Sequence, residues 1–309
     1  MFTPPKSPND AAANFVRAGP RLNAMMACDT AFRVLARRHL GEMTACHAAT
    51  CRGDPSALHQ MRIALTHLRV TMTFFSPMVD DPEQTQIKSE LKWLNTRLGE
   101  VRDLDVAIER LSAKAGKRSS QGELADRSWE RRRENSRRHL MRALQSPRYR
   151  HLIKNASDWI EHGPWCVTTV KRAARNRASP IAAYSLRKLT RWQHKLLKQS
   201  RKLPKLGVKK RHRLRLMNKK LCYSIEALAD LSAAKGFSRR QGALKYLRKA
   251  HELLGQLNDG ARGQSLAASV VSDSARVPLQ FLSRKREKRL TRKAVKAYRK
   301  LAALKPFRG

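Results

Sequence analysis

Two histidines open two stretches in which cationic side chains recur at helical spacing. The first stretch, HQMRIALTHLR, carries His59, Arg62 and Arg69 at i, i+3 and i+10. The second, HRLRLMNKKLCY, carries His212, Arg215, Lys219 and Cys222 at i, i+3, i+7 and i+10, with Lys220 alongside. On an α-helix these intervals fall close to a single stripe. An arginine fork binds two phosphate oxygens at once, and lysine adds a mobile point charge. A histidine at the end of such a stripe donates a hydrogen bond and gains charge below about pH 6.5. The chemistry this supports is the holding of a multiply charged anion.

The elements that must position these residues are helices. Asp54-Pro55-Ser56 is an N-cap followed by proline at the first helical position, and the motif helix then runs to Ser76-Pro77. Its apolar stripe is Leu58, Met61, Leu65, Leu68 and Met72. The second motif helix is expected from Val208 to Ala233. Each motif is followed by a similar closing phrase, WLNTRLGEVRDLDV with Gly99 and Asp103, then LRKAHELLGQLNDG with Gly255 and Asp259. The separation from His to Gly is 40 residues in the first case and 43 in the second. Two motifs in one order at nearly one separation indicate a duplicated helical unit.

These residues resemble the CHAD domain, the conserved-histidine α-helical domain. The similarity runs from about Arg21 to about Phe307. It is carried by His59-x-x-Arg62 with Arg69, by LG-x-x-RD-x-D from Leu98 to Asp105, and by His212, Arg215, Lys219, Tyr223 and Glu226. The chain departs from the family pattern at Thr66 and His67, where basic residues are usual, and at Cys222, where an arginine is usual. Its second closing phrase has Asn258 and Gly260 in place of a second RD-x-D. The resemblance implies an all-α fold of two pseudo-symmetric four-helix-bundle-like halves around a central basic cavity. It also implies binding of inorganic polyphosphate, with no cofactor. The halves are expected at about 11–175 and 176–309, after a disordered segment at 1–10.

Charge points the same way. The 309 residues include 66 Lys plus Arg against 24 Asp plus Glu, a formal net charge of +42. A folded body with that balance repels itself, so a large polyanion is the expected partner. Polyphosphate, nucleic acid and an anionic membrane surface all meet that description. Aromatics are 6 % of the chain and no base-stacking platform stands out, which ranks nucleic acid second. Some non-specific nucleic-acid binding is expected from the charge alone. The five cysteines form no C-x-x-C pair and suit a reducing compartment. No apolar run is long enough to span a bilayer, so the expected place is the cytoplasm, on polyphosphate granules, with no membrane insertion. No P-loop, no ligand-type metal cluster and no nucleophile–base pair is legible, and the expectation is a binding protein, not an enzyme. Oligomeric state is not readable.

Other elements follow from periodicity and punctuation. Helices are expected from about Ala11 to Cys51, from Asp81-Pro82 to Leu98-Gly99, from Arg102 to Lys114, and from Glu123 to Gln145, after a loop at Lys117–Gly122. Further helices are expected at Arg148–His162, Ile181–Ser200, Arg239–Leu254, after Asp259, and at Leu279–Leu304, with a junction at 175–180. The candidate polyphosphate-binding residues are His59, Arg62, Arg69, Arg97, Arg102, His212, Arg215, Lys219 and Lys220. Arg33 and Arg37, one turn apart, join them, as do Arg191 and Lys195, and Lys245 and Arg248. Each has a plainer alternative. A lone histidine is more often packed or capping than a ligand, and the arginines have Asp103, Asp105 or Asp259 as rival partners. The dense run from Arg284 to Lys300 fits a solvated basic face as well as a binding one.

Overall fold

The computed structural model describes residues 20–112, 120–231, 238–270 and 282–304. The fold is all-α. The helices are α1 (Cys28–Ala45), α2 (His47–Cys51), α3 (Pro55–Phe74), α4 (Ser76–Val79), α5 (Pro82–Ser112), α6 (Ser120–Gln145), α7 (Pro147–His162), α8 (Lys171–Ala178), α9 (Ile181–Ser200), α10 (Val208–Ala227), α11 (Ser238–Val270) and α12 (Arg284–Ala303). Among the described residues the only β pairing is an isolated bridge between Ala27 and Pro180, and no helix is long and apolar enough to cross a membrane.

Two compact units take their residues from interleaved stretches. One comprises 20–91 and 150–184 of the described chain, the other 92–149 and 185–304. The halves expected to meet near residue 175 and these compact units are different partitions of the sequence.

In the first unit α1 packs on α3 and α8. The start of α3 follows its local chemistry. Gly53 takes φ +86°, which favours glycine, and Asp54 Oδ1 accepts from the backbone N–H of Ser56 at 2.7 Å. The core is aromatic. Phe32 meets Phe75, Trp159 and Trp165 with ring centroids 5.6, 5.6 and 5.2 Å apart, and the two edge-on tryptophan pairs add roughly 0.5–1.5 kcal/mol each beyond area burial. Their polar ends are satisfied. Trp159 Nε1 donates to Asp81 at 3.0 Å, Trp165 Nε1 to the Trp159 carbonyl at 2.9 Å, and Tyr184 Oη to the Phe74 carbonyl at 2.8 Å.

In the second unit α11 packs on both α10 and α12. Leu214, Leu221, Leu247, Leu254, Leu290 and Leu301 are buried there. One amide ties the three helices. Asn218 of α10, fully buried, donates to the Leu247 carbonyl of α11 at 2.9 Å and accepts from Tyr298 Oη of α12 at 3.1 Å. Burial holds the Tyr298 hydroxyl in its protonated form, so it stays a donor.

Several sequence expectations are corrected. The closing phrases do not interrupt their helices. Helix α5 continues through Gly99, and α11 through Gly255 and Gly260. A mid-helix glycine costs about 1 kcal/mol. The unbroken buried row Leu91, Leu94, Leu98, Val101 and Leu104 outweighs that in α5. Among the described residues the first helix is α1, from Cys28. The backbone before it is engaged elsewhere: Cys28 N–H donates to Ser179 O, Ile181 N–H to Met26 O and Ala182 N–H to Ala24 O. Residues 11–19 lie outside the described residues, as do 1–10. Residues Ser120–Gly122 are helical, not loop, and α8 covers most of the expected junction at 175–180. Helix α10 ends at Ala227. The last helix begins at Arg284, where Ser283 Oγ accepts from Arg286 N–H.

Candidate functional site

Helix α3 sets the first stripe. Its buried row Leu58, Met61, Leu65, Leu68 and Met72 faces the core, and the motif residues lie along the edge of that row. His59 is exposed, whereas Arg62 and Arg69 are half-buried. Desolvation lowers the Arg69 pKa from its ordinary value. A guanidinium so placed has lost part of its hydration and interacts more strongly with an anion that reaches it. Thr66 and Thr73 each turn a hydroxyl back to the helix, onto the carbonyls of Arg62 and Arg69, both at 2.8 Å.

Arg33 and Arg37, on α1, face α7 and the turn after it. The Arg33 guanidinium lies 4.9 Å over the Trp165 ring, with Nη2 3.2 Å from Cys166 Sγ. Arg37 makes a two-pronged ion pair with Glu161. The hydrogen bond raises the arginine and lowers the glutamate pKa. These two cations are engaged in packing and pairing within their unit.

The second unit holds the remaining candidates. Arg97 and Arg102, expected on either side of a helix break, sit on one continuous helix. Five residues place them roughly 140° apart around its axis, so they do not share a stripe. Arg97 lies 3.4 Å from Glu100, and Asp105 is paired with Arg137 of α6 at 3.3 Å. Arg191 and Lys195 are exposed neighbours on α9. On α11 Lys245 is exposed and Arg248 pairs with Glu226 at 2.8 Å, which raises the Arg248 pKa. Cys222, where an arginine was expected, is buried and donates to the same Glu226 at 3.7 Å.

The strongest convergence is between α10 and α11. His212, Arg215 and Lys219 lie on one side of α10, with Lys220 exposed beside them. His212 Nδ1 is 2.8 Å from Asn258 Oδ1 of α11. The Arg215 guanidinium stands over Gly255. A Cβ at that glycine would sit 3.9 Å from both Arg215 Nε and Nη2. The glycine of the closing phrase thus lies mid-helix, at ordinary packing distance beneath the arginine. Lys219 Nζ is 5.4 Å from the Tyr223 ring centre, and that ring is 6.2 Å from His251. Two buried nitrogens here, Arg215 Nε and His251 Nδ1, have no hydrogen-bond partner. Desolvation, followed by the charges of Arg215 and Lys219, pushes His251 down to about 4. At neutral pH it is an uncharged ring beside two cations, with its buried Nδ1 unpartnered.

Sequence reasoning did not place His251 in the site. Its signal was its position in the closing phrase, one helical turn before Gly255. That signal becomes legible only when Gly255 is known to lie mid-helix against Arg215. Gly255 was read as following a helix end and Asn258 as a departure from the family phrase, yet both meet the motif helix directly.

The comparisons accord with this architecture. A solved CHAD domain from the plant Ricinus communis superposes with a TM-score of 0.73 at 22 % identity, over 93 % of this chain and 96 % of that one. PptA from Streptomyces chartreusis superposes with a TM-score of 0.59 at 15 % identity, over 90 % and 96 %. No functionally curated protein matches the sequence. The sequence pattern of the CHAD domain matches residues 34–268, well over half of the chain. On that match, spanning both motif helices and both closing phrases, the chain belongs to the CHAD domain family.

Proposed function

We propose that this chain binds inorganic polyphosphate without chemically altering it, through the cationic stripes of α3 and α10, and through that polymer associates with polyphosphate granules. The observation that carries the reading is the group formed by Arg215, Lys219, Tyr223 and His251. It combines two cations with two unpartnered buried nitrogens on facing helices. Each unpartnered polar atom costs roughly 1–3 kcal/mol in the unliganded protein. A phosphate oxygen accepting from Arg215 Nε, and from His251 in its Nδ1–H tautomer, recovers that cost. Polyphosphate offers about one negative charge per phosphorus in a thin chain, and its binding releases counterions as nucleic-acid binding does.

A second reading has its own observation. On α12 the side chains of Arg284, Lys285, Arg286, Lys288, Arg289, Arg292, Lys293, Lys296, Arg299 and Lys300 are all exposed. That face suits non-specific contact with nucleic-acid phosphates.

A competition titration at near-physiological salt separates the two. Long-chain polyphosphate is set against duplex DNA and RNA for wild type, an Arg62→Ala/Arg69→Ala variant and an Arg215→Ala/Lys219→Ala variant. At roughly 1.5–3 kcal/mol for each charge-assisted hydrogen bond, each double variant loses polyphosphate affinity by more than about 100-fold while remaining helical. The slope of log affinity against log salt falls by about 0.7 per cation removed. Equal competition by DNA, or variants that bind as well as wild type, refutes the reading. Phosphate release from pure polyphosphate refutes its non-catalytic part.

A further inference from the structure

The first unit contains a polar cluster outside the residues proposed above for polyphosphate. His39 and Glu42 lie one turn apart on α1, and His67 comes from α3, which packs against it. His39 is only 3 % exposed. Its ring meets that of His67 edge-on, with centroids 5.0 Å apart and planes at 90°. Its Nδ1 is 3.1 Å from Glu42 Oε2, and its Nε2 is buried without a hydrogen-bond partner. One potential ligand atom from each of the three residues lies within 4.8 Å of the others.

We propose that His39, His67 and Glu42 form a binding site for a zinc-class divalent cation. Two imidazoles and a carboxylate are the donor set that such ions take, with a further position left for water or another ligand. Zinc bonds of 2.0–2.2 Å hold neighbouring ligand atoms about 3.3 Å apart, close to the His39–Glu42 separation. Small rotations of the half-buried His67 and Glu42 side chains close the rest. Either neutral tautomer of His39 presents a bare nitrogen. With the proton on Nδ1, Glu42 accepts it and orients the ring from behind, while Nε2 ligates the cation with His67. With the proton on Nε2, Nδ1 and Glu42 face the cation together. The plainer role, a core histidine satisfied by its neighbour, accounts for Nδ1 and leaves Nε2 unexplained. The high positive charge of the chain opposes a dication at long range. Screening within about 8 Å at physiological salt leaves the decision to the local ligands.

The test is a metal titration of the full chain after chelator treatment and without polyphosphate. It uses Zn2+ for affinity and Co2+ for the ligand-field spectrum. Wild type is compared with His67→Ala and Glu42→Gln, which alter half-buried residues and spare the buried His39. His47→Ala is the control for the neighbouring Cys51 Sγ···His47 Nε2 contact at 3.7 Å. Wild type and His47→Ala take up one equivalent of Zn2+ that millimolar Mg2+ does not displace, give a tetrahedral-type Co2+ spectrum, and unfold at higher temperature with Zn2+. His67→Ala and Glu42→Gln stay helical and bind zinc at least about tenfold more weakly. Absence of stoichiometric binding by wild type overturns the proposal. So does undiminished binding by His67→Ala, or loss of binding in His47→Ala alone.

Discussion

Lowering the pH from 7.5 to 5 should destabilise the protein through His251, and the size of the effect follows from its surroundings. Burial, then Arg215 and Lys219, hold the folded-state pKa near 4, against about 6.5 in the unfolded chain. Above pH 6.5 the ring is neutral in both states and contributes no pH dependence. Below it the unfolded chain takes up a proton that the folded protein refuses until about pH 4, so stability falls as pH drops through that window. At 1.36 kcal/mol per pH unit of mismatch, the loss is about 2 kcal/mol at pH 5 and about 3 kcal/mol once both states are protonated. The assay is urea unfolding followed by far-UV circular dichroism for wild type and His251→Gln at both pH values. The carboxylates titrate alike in the two proteins, and the pH-independent cost of the substitution cancels. The stability advantage of wild type over the variant should shrink by about 2 kcal/mol between pH 7.5 and 5. A difference that stays constant refutes the placement of His251 beside two cations. A polyanion seated on Arg215 and Lys219 relieves two of the three causes, so polyphosphate should bind wild type more tightly at pH 5 than at 7.5, relative to His251→Gln.

Three further outcomes test the packing. Tyr298→Phe strands the Asn218 carbonyl oxygen and should cost about 1–2 kcal/mol, and Asn218→Ala, which removes both bonds, about 2–4 kcal/mol. Chemical denaturation of single and double variants measures their coupling. Gly163→Ala places a methyl 2.5 Å from Trp159 Cδ1 and 2.6 Å from the Trp159 carbonyl. It should destabilise by about 1–3 kcal/mol and alter the near-ultraviolet tryptophan spectrum. The Cys222 thiol is pushed up to about 12, chiefly by burial and then by Glu226. It should therefore resist iodoacetamide at pH 8 in the native protein and react after unfolding, as read by peptide mass spectrometry.

Where local chemistry decides, the sequence was sufficient. Asp54-Pro55 announced α3, and the expected limits Gln145 and Arg148 bracket the break between α6 and α7. The all-α class and the family were likewise legible from the two motifs. Failures arose where tertiary contact overrides a local preference. Gly99 and Gly255 read as breaks because glycine is a poor helix former, yet a buried leucine row carries α5 across Gly99, and Gly255 lies under Arg215. Helix α8, KRAARNRA, carries no apolar stripe and buries only Ala173, so periodicity could not reveal it. Arg33 and Arg37 were grouped with the cationic stripes on helical spacing alone, and spacing does not disclose Trp165 and Glu161 as their partners. His39 and His67 belong to separate helices, and nothing in their separation along the chain foretells a 5.0 Å ring contact.

The interleaving of the two units bears on how the polypeptide emerges during synthesis. Phe32 and Phe75 are made early, but Trp159, Trp165 and Tyr184, which cover them, come from the returning stretch 150–184. At about 5–20 residues per second, the span from Leu91 to Tyr184 takes on the order of 5–20 s to translate. Throughout that interval the nascent chain bears an uncovered aromatic surface next to strongly cationic segments, in the vicinity of ribosomal RNA. The late arrival of the tryptophans makes vectorial, helix-by-helix completion of this unit impossible. Stalled or truncated chains ending before residue 150 should thus be the species most dependent on chaperones.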